Sequence, residues 1–264
     1  MGAMTGAAQR STGGGMAEAG IGWPAVELVS PQARGPAVLV CEHASPFIPP
    51  DLPMGLAPGD ALSHAVWDPG ALLVASRMSA RLDAPLVAGA LSRLVYDCNR
   101  PPSSPEAIRD RSERISVPGN AALGAEERRV RVAGVHDPFH AAVAEVLGAR
   151  PHAALVSVHS FTPVYDGVPR EVELGFLQDP EGGGARLARA MLEGARMRWH
   201  AALDRPYDAS DGVTYTLRRH ARGRDAVMIE IRNDLIASPA SARTMGDALA
   251  DLLLEALAGL EVAA

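Results

Sequence analysis

The 264-residue chain is poor in cysteine, in aromatic side chains and in net positive charge, and each shortage closes a class of function. Two cysteines, Cys41 and Cys98, define neither a disulfide framework nor a cysteine-rich metal site, and they read as buried free thiols of a cytoplasmic protein. A formal charge of -6 leaves no basic excess for phosphate contacts, so no nucleic-acid partner is expected. No uninterrupted apolar run reaches the roughly eighteen residues of a membrane-spanning helix. The Gly-rich stretch PEGGGARLA at 180–188 has neither the Walker lysine pattern nor the spacing of a dinucleotide fingerprint. A Ser-centred nucleophile elbow and a Cys–His nucleophile pair are also missing.

What remains is an aliphatic-rich composition, 47% hydrophobic with 21% charged residues, enough to build a substantial core. Residues 1–20 are rich in small residues, carry no export signal and read as a flexible tail, which leaves a single domain over 21–264. Strands are expected at 37–42, 84–89, 93–98, 153–159, 172–177 and 226–231. Several are short and apolar on both sides, as in a sheet covered on two faces. Helices are expected at 71–82, 138–148, 185–199, 213–221 and 242–257. This alternation predicts a three-layer α/β domain, with the Pro-, Ser- and charge-rich stretch 101–131 as a long excursion near the strand ends.

Several of these apolar runs end in polar side chains: Glu42 and His43 in VLVCEHAS, Asp97 to Arg100 in LVYDCNRPP, His159 in LVSVHSFTP, and Glu230 within VMIEIRNDL. The carboxyl ends of strands in open α/β sheets are where ligand crevices form. His43 and His159 are candidate imidazole ligands of one Zn²⁺, which needs a carboxylate to complete the set, and spacing alone leaves Asp68 and Glu42 even. Glu42 and His43 would face opposite sides of a regular strand, although a turn brings them together. Glu230 is a candidate general base and acid, with a salt bridge to Arg232 as its structural alternative. Arg100 suits bidentate binding of a carboxylate, with a buried Asp97–Arg100 pair as the competing structural role. His136 and His140 share helix spacing without the Glu of a zincin motif, and substrate contact, capping and support of the site are all open to them. Tyr96 and Tyr165 read as packing or pocket walls.

Taken in order, CEHAS, WDPGA, YDCNRP, HSFTPVYDG and IEIRNDL resemble the N-formylglutamate amidohydrolase family, over about Val38 to Leu235. The resemblance implies a mixed sheet between helices, similar to the phosphorylase/hydrolase-like fold of the zinc carboxypeptidases. It also implies zinc-dependent hydrolysis of N-formyl-L-glutamate, or of a related N-acyl amino acid, to an acid and the amino acid. Carried over by motif, His43, Asp68 and His159 form the metal set with Glu42 as the alternative carboxylate, and Glu230 is the catalytic glutamate. Asn99 and Arg100 resemble the carboxylate-binding pair of the wider zinc carboxypeptidase group. Arg100 or Arg232 would help stabilise oxyanion charge, and Tyr165 would join the substrate contacts. The chain departs from the carboxypeptidases in having no carboxylate three residues after His43. The implied partner is a small carboxylate-bearing N-acyl amino acid.

Overall fold

The computed structural model describes residues 21–181 and 184–262, so the tail expected at 1–20 lies outside the described residues. In chain order come strand β1 (Val26–Val29), β2 (Ala37–Cys41), helix α1 (Ala71–Leu82) and β3 (Leu86–Gly89). A long excursion then carries a small hairpin, β4 (Arg111–Ser112) and β5 (Ile115–Ser116), followed by α2 (Pro118–Ala121), α3 (Ala125–Arg131) and α4 (Asp137–Gly148). The second half runs through β6 (Ala154–Phe161), a hairpin of β7 (Val164–Tyr165) and β8 (Val168–Pro169), β9 (Leu174–Leu177), α5 (Ala185–Ala195) and β10 (Ala201–Leu203). It ends with α6 (Tyr215–His220), β11 (Ala226–Arg232) and α7 (Pro239–Val262).

Seven strands form one sheet in the order β1-β3-β2-β6-β11-β9-β10. The four central strands β3, β2, β6 and β11 are parallel, β1 and β9 join antiparallel, and β10 runs parallel to β9. Strict alternation sorts their side chains to two covered faces. Leu39, Val156, Val158, Val227, Ile229 and Ile231 pack with α1, α5 and α7. Val38, Val40, Leu155 and Met228 face α4, α6 and the excursion. Parallel strands buried on both faces explain the continuous apolar runs, and the three-layer mixed-sheet expectation holds. Among the described residues no helix is long and apolar enough to cross a membrane.

Three sequence expectations need correction. RLVYDC at 93–98 is a buried turn instead of a strand: Leu94 and Val95 are fully covered, but the backbone pairs locally, Val95 N donating to Ser92 O at 2.9 Å. The edge strands β1 and β10 were not anticipated, because only four and three residues long, with half their side chains outside the core, they carry little pattern. The last helix is longer than expected, starting at Pro239 behind Ser238, whose hydroxyl accepts from Ser241 N at 3.0 Å.

Candidate active site and metal centre

On the face covered by α4 and α6, the alternation that buries Val38, Val40, Leu155 and Met228 also delivers Glu42, Ser157, His159 and Glu230 as the strands reach their carboxyl ends. Apolar cover thus gives way to buried polar groups within one turn of chain. His43 would face the other side, but β2 stops at Cys41 and the chain turns at Glu42–His43. That turn presses on β3: a Cβ at Gly89 would stand 2.1 Å from the Glu42 carbonyl oxygen, so only glycine fits there. Asp68 N donates to His43 O at 3.0 Å, tying the turn to the residue that precedes α1.

His43 and His159 meet with their Nδ1 atoms 3.1 Å apart, and Asp68 Oδ2 lies 3.2 Å from the first and 2.8 Å from the second. Behind His43, Nε2 donates to Asp97 Oδ1 at 2.7 Å, and behind His159, Nε2 lies 3.0 Å from Glu42 Oε2. Asp97 behind His43 holds that ring's proton on Nε2, and with Glu42 lying behind His159 the two Nδ1 atoms face each other and a carboxylate oxygen. Three facing acceptors repel unless a proton or a metal ion sits among them. Among the described residues, His43, Asp68 and His159 are the group that offers three metal donors at this spacing, and two neutral imidazoles with one carboxylate are a donor set zinc takes.

Charge leads to the same conclusion. Burial pushes Asp68, Asp97 and Glu42 upward, but the histidines, together with Arg93 at Asp97, hold all three below the usual carboxylate range, Glu42 at about 2. Against these three anions stands Arg93, whose Nη1 donates to Asp68 Oδ1 at 3.2 Å and Nη2 to Asp97 Oδ2 at 2.9 Å. Burial opposes protonation of His159, yet Glu42 and Asp68 raise its pKa well above the ordinary histidine value. A divalent cation would balance this surplus. Glu42 lies behind His159, also accepting from Ser157 Oγ at 2.8 Å, and Asp68 is the carboxylate on the side of the facing Nδ1 atoms.

Glu230 pairs in register with His159 across β11 and β6, and its buried Oε2 has no hydrogen-bond partner. Burial raises its carboxyl to about 7, with His159 pulling down and Asp68 pushing up. A carboxyl poised near neutrality is suited to taking and returning a proton. Glu230, the metal group, Asn99, Arg100, Arg109, Tyr165 and Tyr207 line one cavity of about 320 Å³, within the range of small-molecule sites. A larger cavity of about 680 Å³ opens at the other end of the strands, between Arg150, Arg186, Asp225 and Leu260. No cluster of metal donors stands there among the described residues.

The remaining sequence candidates divide. Arg100 is buried with Nη1 donating to Asp211 O at 3.0 Å, while Asp97 takes Arg93 as its guanidinium partner instead. Asn99 lines the cavity, but its amide is spent on the following loop, donating to Val213 O and accepting from Thr216 N. Tyr165 lies under the Arg170 guanidinium, 4.6 Å from ring centre to Cζ. Arg232 does not reach the cavity: Asp234 and the carbonyls of Arg170 and Glu171 capture it one residue pair beyond Glu230. His136 and His140 stand behind the loop, and His140 Nε2 donates to Cys98 O at 2.9 Å. Both cysteines are free and buried, with thiol pKa values raised by burial. Sequence reasoning missed Arg93, Arg109 and Tyr207, and the Asp97–Arg100 pair it held as the structural alternative for Arg100 is replaced by Asp97–Arg93, for which the four-residue spacing was the available signal.

The sequence profile of the N-formylglutamate amidohydrolase family matches residues 35–237. A gene product of Agrobacterium tumefaciens of solved structure is 45% identical, covering 90% of this chain and 96% of its own, with a TM-score of 0.86. The crystal structure of N-formylglutamate amidohydrolase from Ralstonia eutropha has the same fold at a TM-score of 0.64 and 17% identity, covering 87% of this chain and 96% of its own. No curated protein sequence matches. With the profile spanning most of the chain and a hydrolytic constellation beneath it, the chain belongs to the N-formylglutamate amidohydrolase family and is a hydrolase.

Proposed function

We propose that the protein is a zinc-dependent amidohydrolase that cleaves N-formyl-L-glutamate, or a closely related N-acyl amino acid, to the free acid and the amino acid. The facing Nδ1 atoms of His43 and His159 with the Asp68 oxygen carry this reading, because only a shared cation makes them one chemical unit. His43, Asp68 and His159 would hold the zinc, which when bound supplies Lewis acidity toward an acyl carbonyl and acidifies water. Glu230 takes the proton from the attacking water and delivers it to the leaving nitrogen. Arg100 grips a substrate carboxylate and sets the acyl group against Glu230. Arg93, fixed by Asp68 and Asp97, adds positive charge where oxyanion character develops, the role considered from sequence for Arg100 or Arg232. Asn99 holds the 213–216 loop that closes the cavity, and Tyr165 and Tyr207 form its wall.

The test is a chelator-controlled assay of formate release from N-formyl-L-glutamate beside a panel of N-acetyl and longer N-acyl amino acids. Glu230→Gln should retain zinc and lose at least roughly 10²-fold in kcat, the scale of a positioned proton-transfer group. Loss of zinc with activity would make Glu230 a ligand. Turnover confined to another acyl group would keep the hydrolase and replace the substrate, and tight binding of a small acid without turnover would make the protein a binding protein on a hydrolase scaffold.

A further inference from the structure

The metal-donor group lies at the strand ends, and other walls of the same cavity come from segments outside the seven-stranded sheet: His64, Ser112 in β4, Tyr165 in β7, and Tyr207, Asp211 and Val213 in the loop after β10. These walls are fastened very unequally. The loop after β10 is tied by Arg100 Nη1, which donates to Asp211 O at 3.0 Å, and by Asn99, which donates to Val213 O and accepts from Thr216 N at 3.1 Å. Buried Asp179 holds the same loop, accepting from Thr214 Oγ1 at 2.5 Å. The β4–β5 hairpin is closed at its foot, where Val117 N donates to Asp110 O at 2.8 Å.

The β7–β8 hairpin is held differently. Of residues 164–169, Tyr165 is half-buried and the others are exposed. Among the described residues, one hydrogen bond joins the hairpin tip to another element: Asp166 N donates to Glu113 Oε1 at 3.1 Å. Glu113 stands at the tip of β4–β5, and its other oxygen, Oε2, lies 2.9 Å from His64 Nε2. One carboxylate therefore gathers three of the wall segments. Both tips are tight two-residue turns with left-handed residues, Glu113 at φ 49° and Asp166 and Gly167 at 48° and 79°, which keeps each hairpin a compact unit. At the foot of β7–β8, Arg170 N donates to Pro163 O at 2.8 Å, and the Arg170 guanidinium lies 4.6 Å from the Tyr165 ring and 4.8 Å from the Tyr207 ring. Outward motion of this hairpin breaks one hydrogen bond and one ring contact, whereas outward motion of the loop after β10 breaks a set of buried bonds, so the hairpin is the wall of lowest local stability.

We infer that the β7–β8 hairpin is the gate of the cavity and Glu113 its latch: the hairpin swings as a body about its foot, the Glu113–Asp166 bond opens, and Tyr165 leaves the wall to let a small molecule pass. The inference rests on the reading of this cavity as the catalytic site. A gate that is closed in both the free and the occupied protein slows entry and exit by the same factor and leaves affinity unchanged. Hydrogen exchange of the full zinc-loaded chain reads the latch directly. Glu113→Ala should speed exchange of the amides of residues 164–168 about tenfold, the scale of one hydrogen bond to a charged group. Glu113→Gln, which keeps an oxygen for Asp166 N, should fall between. Passage is read with acetohydroxamate, a small metal-binding acid, whose association and dissociation rates come from the broadening of its methyl NMR signal. Both rates should rise by the same factor in Glu113→Ala, with the dissociation constant unchanged. Faster dissociation alone overturns the inference, because Glu113 would then support the shape of the site. Unchanged rates overturn it as well, because ligands would pass elsewhere. Hairpin exchange that ignores Glu113→Ala removes the latch whether or not a metal is bound. A chain that takes up neither zinc nor acetohydroxamate, but whose hairpin loosens as expected, loses the metal reading and keeps the latch.

Discussion

Two groups of histidines, buried except for the half-buried His220, flank the Asp97–Arg100 segment, and they have opposite chemistry. His43 and His159 stand between carboxylates and face each other with bare Nδ1 atoms. His136, His140 and His220 lie on the other side of the segment with rings 4.5 and 5.1 Å apart, and the one carboxylate bonded to them, Asp137, is exposed. In that second group donors meet acceptors: His140 Nε2 donates to Cys98 O, which leaves Nδ1 to accept from His220 Nε2 at 2.9 Å. Burial and neighbouring cationic groups lower His140 to about 3 and His220 to about 4. Burial beside other cationic groups thus keeps a packed histidine neutral, whereas carboxylates around the ring suit it to a place beside a cation.

Removing the carboxylate that faces the proposed zinc position should break this comparison most severely. Asp68→Asn deletes a charge among the three donors, whereas Glu42→Gln deletes one behind a donor, for which about a 10- to 100-fold loss of zinc affinity is expected. Zinc content after dialysis against a graded chelator should therefore fall well further for Asp68→Asn than for Glu42→Gln. His140→Gln should leave it unchanged. The reverse order of the two carboxylates would return the ligand role to Glu42.

The second prediction concerns the backbone that brings His43 round. Gly89→Ala places a methyl 2.1 Å from the Glu42 carbonyl, so β3 or the Glu42–His43 turn must shift, at a cost of about 1–3 kcal/mol for an overpacked site. Urea unfolding should report that loss and zinc retention should fall with it. A stable variant that keeps its zinc would show that the turn tolerates movement and that His43 is less constrained than His159.

The contrast between the two groups also explains what the sequence revealed. Central strands were legible because parallel strands covered on both faces need continuous apolar runs, and β2, β6 and β11 are such runs. Their polar ends, His43, His159 and Glu230, broke the pattern and so announced the site. RLVYDC deceived because a buried turn and a buried strand have the same composition, and only a pairing partner distinguishes them. That error concealed the pairing of Arg93 with Asp97, which depends on the turn that sets both beside the metal-donor group. Spacing alone left Asp68 and Glu42 even, and only the family resemblance favoured Asp68, since the difference between them is the side of the His159 ring that each carboxylate occupies. His140 and His220 are 80 residues apart, and no local pattern brings them together.

The smallest expected effect concerns acid stability and separates the two groups by the sign of their proton linkage. A histidine whose folded pKa is depressed leaves stability intact above its unfolded value of about 6.5, and stability falls with pH below that because only the unfolded chain takes up the proton. For His140 the window runs from about 6.5 down to about 3, at up to about 1.4 kcal/mol per pH unit. His140→Gln keeps a donor for Cys98 O but has no proton to gain, so its unfolding free energy should decline less steeply than the wild type's between pH 6.5 and 5. Urea unfolding across that interval, with zinc held in excess so that His43 and His159 stay ligated, measures the difference in slope. Equal slopes would mean that His140 takes up its proton within the fold, and the packed trio would then need an anion of its own, which would bring it closer in kind to the metal group.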